Sequence, residues 1–205
     1  MAKRSFHRPS PSRNLRKVYV VATEGECTEP LYFQCFQGNP YRQNLNIKLL
    51  PTRKGQSAPK SVLKRLQEYA KKASLKPQDE LWLVIDVPEW TIADLQVVYQ
   101  ACQQEGYCLA ASNPSFELWL LLHQANPRTP STVSQCETEL SRLFEKPYNK
   151  SNYDPHRLLP EIDSAIANAR RLHTDPAEPW PQQVGTHVYR LVSQLTASPS
   201  PVTLP

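Results

Sequence analysis

The run Glu80–Asp86, ELWLVID, constrains the fold more than any other segment. Its five central residues are all apolar and an acid closes it, so neither a helical nor an alternating period separates a polar face. Seven residues of this kind read as a strand covered on both sides, the pattern of a mostly parallel sheet. Lys17–Thr23, KVYVVAT, reads the same way and runs into Glu24-Gly25-Glu26. Asn46–Leu50 and Tyr107–Ala111 complete four expected strands.

Helical segments are expected between these strands. Thr28 is placed to cap a helix with Glu29 and Pro30 in its first turn, and Leu31, Tyr32, Cys35 and Phe36 form its apolar stripe. Residues 60–72 set Val62, Leu63, Leu66, Tyr69 and Ala70 on one face. Thr91 and Asp94 form a capping box for a helix that turns Ile92, Leu95, Tyr99 and Cys102 inward and ends at Gly106. Strands alternating with helices predict an α/β fold whose mostly parallel sheet is flanked by helices. Beyond the Ser112-Asn113-Pro114 turn everything reads as helical: Phe116–His123, 132–144, 156–172, and a last helix from Thr186 to Leu195.

At 205 residues the chain accommodates one core with a small helical extension. We expect a basic arm over 1–16, disordered when free, an α/β core over 17–125, a helical part packed on it over 126–196, and a flexible tail over 197–205. No apolar run of about 18 residues exists, so no membrane span is expected. Nor does an apolar stretch follow the basic start directly, which argues against a secretory signal. Cys27, Cys35, Cys102, Cys108 and Cys136 are scattered; they read as buried thiols of a reducing, cytoplasmic compartment, although Cys102 and Cys108 flank Gly106 and could meet. With no CxxC pair, zinc is not expected.

The net charge is +5, yet residues 1–17 carry six basic residues and no acid, which leaves −1 for the remainder. Lys3, Arg4, Arg8 and Arg13 in this arm are candidate nucleic-acid contacts through counterion release; a solubilising tail is the plainer alternative. Arg53 and Lys54, in a polar loop after the second strand, either touch a phosphate backbone or are ordinary surface charge.

Ligand sites of parallel sheets lie at the carboxyl ends of their strands. Glu24, Glu26, Glu29, Asp86 and Glu89 gather at two such ends. Buried carboxylates are costly unless paired or bound to a cation, and hard oxygen donors suit Mg2+ or Mn2+. The alternative is that they cap helices and face water. Glu117 sits within an apolar helix, as a third acid of the site or as an acceptor for backbone amides or a basic side chain. His123, on the same helix, reads as a satisfied core histidine. Lys150 either neutralises a phosphate or is a solvated loop lysine.

The segment Val20–Phe33, VVATEGECTEPLYF, resembles the opening EGExTEPxYF motif of RloB-like proteins, the AbiLii type of abortive-infection family. Ala111–His123, ASNPSFELWLLLH, is similar to that family's second signature, and Asp79–Asp86 to the strand between them. Tyr148, Lys150 and Thr186-His187-Val188 are weaker matches, so the likeness runs from about residue 17 to residue 195. The resemblance implies a TOPRIM-like fold, with a glutamate after the first strand and a DxD motif after the third holding a divalent metal for nucleic-acid cleavage or joining. Glu24 takes the glutamate's place and Asp86 the first aspartate's. Where the family reads close to DxDE, this chain has Asp86-Val87-Pro88-Glu89. Either Glu89 reaches inward as a substitute ligand or the metal site is weakened.

The resemblance further implies a metal-dependent nuclease-like effector of antiviral defence, acting on DNA or on RNA such as tRNA, with Glu24, Asp86, Glu117 and Lys150 as catalytic residues. It implies an AAA-type ATPase partner, since the chain has no GxxxxGK[ST] string of its own. The alternative is a degenerate TOPRIM-like module that binds nucleic acid or the ATPase without cleaving.

Overall fold

A computed structural model of the protein describes residues 17–37, 46–50, 52 and 55–197. The elements, in chain order, are β1 (Val18–Thr23), α1 (Thr28–Gln34), β2 (Asn46–Leu50), α2 (Pro59–Lys72), β3 (Glu80–Asp86), α3 (Ile92–Glu105), β4 (Cys108–Asn113), α4 (Phe116–Leu121), α5 (Val133–Leu143), α6 (Ile162–Leu172), β5 (Gly185–Thr186) and α7 (Val188–Thr196). The strands form one sheet in the order β2-β1-β3-β4-β5. β1 to β4 are mutually parallel, and β5 lies antiparallel to β4. This is the expected α/β architecture, a mostly parallel sheet flanked by helices with further helices at its C-terminal side.

Because side chains alternate across a strand, each strand feeds two cores. Tyr19, Val21, Trp82, Val84 and Ala110 face a cluster built with α1, α4, α5, α6 and α7. Val20, Ala22, Leu81, Leu83 and Ile85 face a second cluster built with α2 and α3. A single continuous apolar cluster therefore joins the C-terminal helices to the sheet. Trp119, Leu118, Leu120 and Leu121 of α4 are wholly buried at its centre, which is why that helix is apolar all round.

The chain leaves β1 toward β2 on one side and returns to β3 on the other. The order of strands thus reverses between β1 and β3, the switch point at which open α/β sheets leave a crevice for ligands.

Several local expectations are corrected. Thr28 is the first residue of α1 and makes no cap; its hydroxyl donates instead to Glu117 Oε1 at 3.4 Å. At Gly25 the constraint is close approach, because a Cβ there would lie 2.0 Å from Glu29 Oε2. Ile92, the first residue of the helix after the Thr91 cap, is 72% exposed, and Val98 fills the inward position with Leu95 and Cys102. Thr186 does not open the last helix but lies in β5, with its Oγ1 accepting the Val188 N–H at 3.2 Å. The expected helix over 156–172 starts only at Ile162, after two 3-10 turns at Pro155–Arg157 and Leu159–Glu161, because Pro155 and Pro160 withhold amide donors. The Thr91 cap and the Gly106 terminus (φ 70°) are as expected. All five cysteines are free. No helix among the described residues is long and apolar enough to cross a membrane.

Candidate functional site at the ends of β1 and β3

Glu24 directly follows β1. Its amide donates to Val84 O at 2.9 Å and prolongs the β1–β3 ladder by one residue, which fixes its place at the carboxyl end of these two central strands. The side chain is buried. Oε2 accepts the Asp86 backbone N–H at 2.9 Å, and Oε1 accepts the Trp90 indole N–H at 3.0 Å. Burial pushes the Glu24 carboxyl up to about 7; these two hydrogen bonds oppose the rise, and the charges of Glu89 and Glu29 add to it.

Asp86 ends β3. By the alternation of the strand it points to the α1/α4 side, the face of Trp82 and Val84. Its carboxyl is held well above the usual aspartate value by burial first, then by the charges of Glu29, Glu24 and Glu117, against a hydrogen bond from the Phe116 backbone N–H. Glu29, buried in the first turn of α1, accepts the Gly25 N–H at 2.9 Å through Oε1. It too is pushed up to about 7, mainly by burial, with Glu117 raising it and Lys150 lowering it. The loop between β1 and α1 is thus folded around a carboxylate, and this explains the glycine at position 25.

Glu117 is buried on α4 and is not left without partners. Its Oε1 is reached by the hydroxyls of Thr28 and Tyr148, each at 3.4 Å, and by Lys150 Nζ at 3.6 Å. Lys150 bridges outward to Glu137 Oε1 at 3.1 Å and is about half exposed. Its ammonium form is favoured although burial opposes it, because Glu117, Glu137 and Asp86 surround it with negative charge. Both readings of Glu117 are therefore partly realised: it faces the other acids and it accepts from a basic side chain.

The sequence-predicted residues Glu24, Asp86, Glu117 and Lys150 share one electrostatic environment. Glu89 is placed differently. Val87–Trp90 form a turn closed by the Trp90 amide on Val87 O at 3.2 Å, with Pro88 in its second position and Glu89 exposed in its third. Pro88 suits that position because its ring presets the backbone angle. Glu26 is also exposed. The arm residues Lys3, Arg4, Arg8 and Arg13 and the loop cations Arg53 and Lys54 lie outside the described residues.

Sequence reasoning missed Trp90, Tyr148 as a partner of Glu117, and Arg65. From α2, Arg65 Nη2 donates to Thr23 O at 2.7 Å and Thr52 Oγ1 at 3.1 Å, which sets a guanidinium beside the end of β1. Trp90 carries no periodic signal, since it acts through a turn. Tyr148 offered only one, an aromatic ring in an otherwise polar stretch.

A divalent cation suits this donor set in chemistry, because all the donors are carboxylate oxygens. Burial and the charges of neighbouring acids drive Glu24, Glu29 and Asp86 toward their neutral forms, which is the signature of incompletely compensated charge. The spacing is looser: among the described residues, the group of three ligand atoms found within 4.8 Å of one another lies elsewhere in the molecule. Closing on an ion requires the carboxylates to move together.

No curated protein and no solved structure matches the chain. The family model described as RloB-like protein matches residues 19–195, which takes in both sequence motifs, all of the sheet but Val18, and the helices that frame the acidic cluster. The chain therefore belongs to the RloB-like protein family.

Proposed function

We propose that this protein is a divalent-metal-dependent nuclease-like effector of abortive-infection defence, with a TOPRIM-like core, acting on DNA or RNA together with an AAA-type ATPase. One observation carries the reading. Glu24 and Asp86 leave adjacent parallel strands at the switch point of the sheet, joined by a 2.9 Å hydrogen bond, with Glu29 and Glu117 charges close enough to perturb them. Mg2+ or Mn2+, when bound, polarises a phosphoryl oxygen and activates water. Glu24 and Asp86 are the residues to hold it, with Glu89 at the exposed rim. The Asp86 amide and the Trp90 indole aim the Glu24 carboxylate. Lys150, tied to Glu117, offers a half-exposed positive charge to a phosphate. The basic arm and the Arg53-Lys54 loop supply sequence-independent affinity.

A second reading has its own support. The Val87–Trp90 turn puts proline where the family carries an aspartate and leaves Glu89 exposed, which favours a module that binds nucleic acid or the ATPase without cutting. Cleavage of labelled DNA and RNA in Mg2+ or Mn2+, with and without the ATPase, separates the two. Metal-dependent products that vanish in Glu24→Gln and Asp86→Asn support the nuclease. Retained binding with no products under any condition supports the binding module.

A further inference from the structure

The connection from α6 to β5 runs over residues 173–184 with no helix or strand of its own. Its ends are drawn together around a small cavity of about 70 Å³. His173, Asp175, Glu178, Thr186 and His187 line that cavity. His187 is wholly buried, yet neither its Nδ1 nor its Nε2 has a hydrogen-bond partner. A buried imidazole carries one donor and one acceptor, and leaving both unused costs free energy that folding ordinarily avoids. Its ring stands against that of His173, with centroids 4.4 Å apart. One ligand atom each from His173, Glu178 and His187 lies within 4.8 Å of the others.

From these contacts we propose that His173, Glu178 and His187 form a binding site for a first-row transition-metal dication, with zinc the best fit. Two imidazoles and one carboxylate are a zinc donor set, leaving a fourth position for water or an exogenous ligand. Tetrahedral donors about 2.0–2.1 Å from zinc stand about 3.4 Å apart, so the side chains close by at most about 1.4 Å. The surroundings already orient two of them. His173 Nδ1 meets the Tyr189 hydroxyl at 2.8 Å, the outer-shell bond that fixes a ligating imidazole's tautomer. Glu178 Oε1 accepts the Gln182 amide at 2.7 Å.

Arg190 is the opposing group. Its Nη2 lies 3.4 Å from His173 Nε2, and an incoming cation displaces it. Asp175 also lines the cavity, with its Oδ1 accepting the Ala177 N–H at 2.9 Å. The absence of a CxxC pair argues only against a cysteine site. The metal's role is to pin the 173–184 connection to the sheet, since the His187 amide also donates to Ala111 O of β4 at 2.8 Å.

The test uses the full-length chain, stripped by a chelator and titrated with zinc alone against a chromophoric competitor. It is run in a Glu24→Gln/Asp86→Asn background so that the two carboxylates proposed to hold a metal at the β1 and β3 ends do not contribute. One equivalent of zinc is expected, bound about 100-fold more weakly after His173→Gln or Glu178→Gln, and more tightly after Arg190→Gln. These residues are not wholly buried, so the variants keep the fold, which circular dichroism checks. Cobalt substitution should give the visible bands of a four- or five-coordinate histidine site with no thiolate charge-transfer band. Zinc uptake that is absent, unchanged in His173→Gln, or accompanied by a thiolate band overturns the proposal, and none of these results bears on cleavage at Glu24.

Discussion

Glu24→Gln should make the protein more stable above neutral pH and less stable in acid. In the folded chain the Glu24 carboxyl rises from 4.5 to about 7. Between those values the folded state keeps a proton that the unfolded chain has already lost, so stability falls as pH rises through the window. Above it the cost is about 3 kcal/mol, at 1.36 kcal/mol per pH unit. Below pH 4.5 the cost is absent, because both states are protonated. Glutamine is neutral at every pH and keeps one acceptor. Its amide group must, however, face either the Asp86 N–H or the Trp90 indole N–H, donor against donor. Losing one of those bonds costs about 1–2 kcal/mol. The net expectation is a gain of about 1–2 kcal/mol at pH 8 and a loss of about 1–2 kcal/mol at pH 4.5. Urea unfolding of both proteins across this range, in chelator, measures the difference, and titrations common to both chains cancel. Added Mg2+ should close the gap at pH 8 by stabilising the wild type alone. A difference that stays constant with pH would refute the reasoning, because it would mean that Glu24 does not carry an uncompensated buried charge.

The buried His123 should give the opposite slope. Its Nδ1 bonds the Trp119 and Leu120 carbonyls, its Nε2 bonds Tyr32 Oη at 3.1 Å, and burial lowers it to about 4. Stability is full above pH 6.5 and falls by about 3 kcal/mol as pH drops through 4, an acid limb that His123→Gln should lack in urea titrations. Asn168→Ala should cost about 2–4 kcal/mol in the same assay, since Asn168 Nδ2 donates to Leu122 O at 2.7 Å and Gln124 O at 2.9 Å at the buried end of the α4 segment. In the cleavage assay, Glu89→Gln should reduce activity by less than about tenfold, because the side chain is exposed on its turn, whereas Glu24→Gln abolishes it. Pro88→Asp should raise metal-dependent cleavage, and a loss equal to that of Glu24→Gln in Glu89→Gln would place Glu89 among the ligands.

The layered α/β plan was legible from local chemistry. ELWLVID and KVYVVAT have no polar face, so burial on both sides and parallel pairing follow from the residues alone. Thr91 and Gly106 mark helix ends because capping and left-handed geometry are properties of single residues. The acids at the strand ends were visible for the same reason, as charges that terminate apolar runs. Their partners were not. Trp90 reaches Glu24 through a turn, Tyr148 reaches Glu117 from 31 residues away, and Thr28 gives its hydroxyl to Glu117 rather than to its own helix. The lack of a side chain at Gly25 matters because Glu29 folds back onto it, a contact no local pattern announces. β5 is two residues long, too short for any periodic signal, and exists because β4 offers it an edge. His173, Glu178 and His187 are separated by stretches without pattern, and a loop's path alone brings them around one cavity. Propensity and burial act on neighbours in sequence and so can be read from it. The pairing of one polar side chain with another depends on distances that exist only once the sheet and its helices have packed.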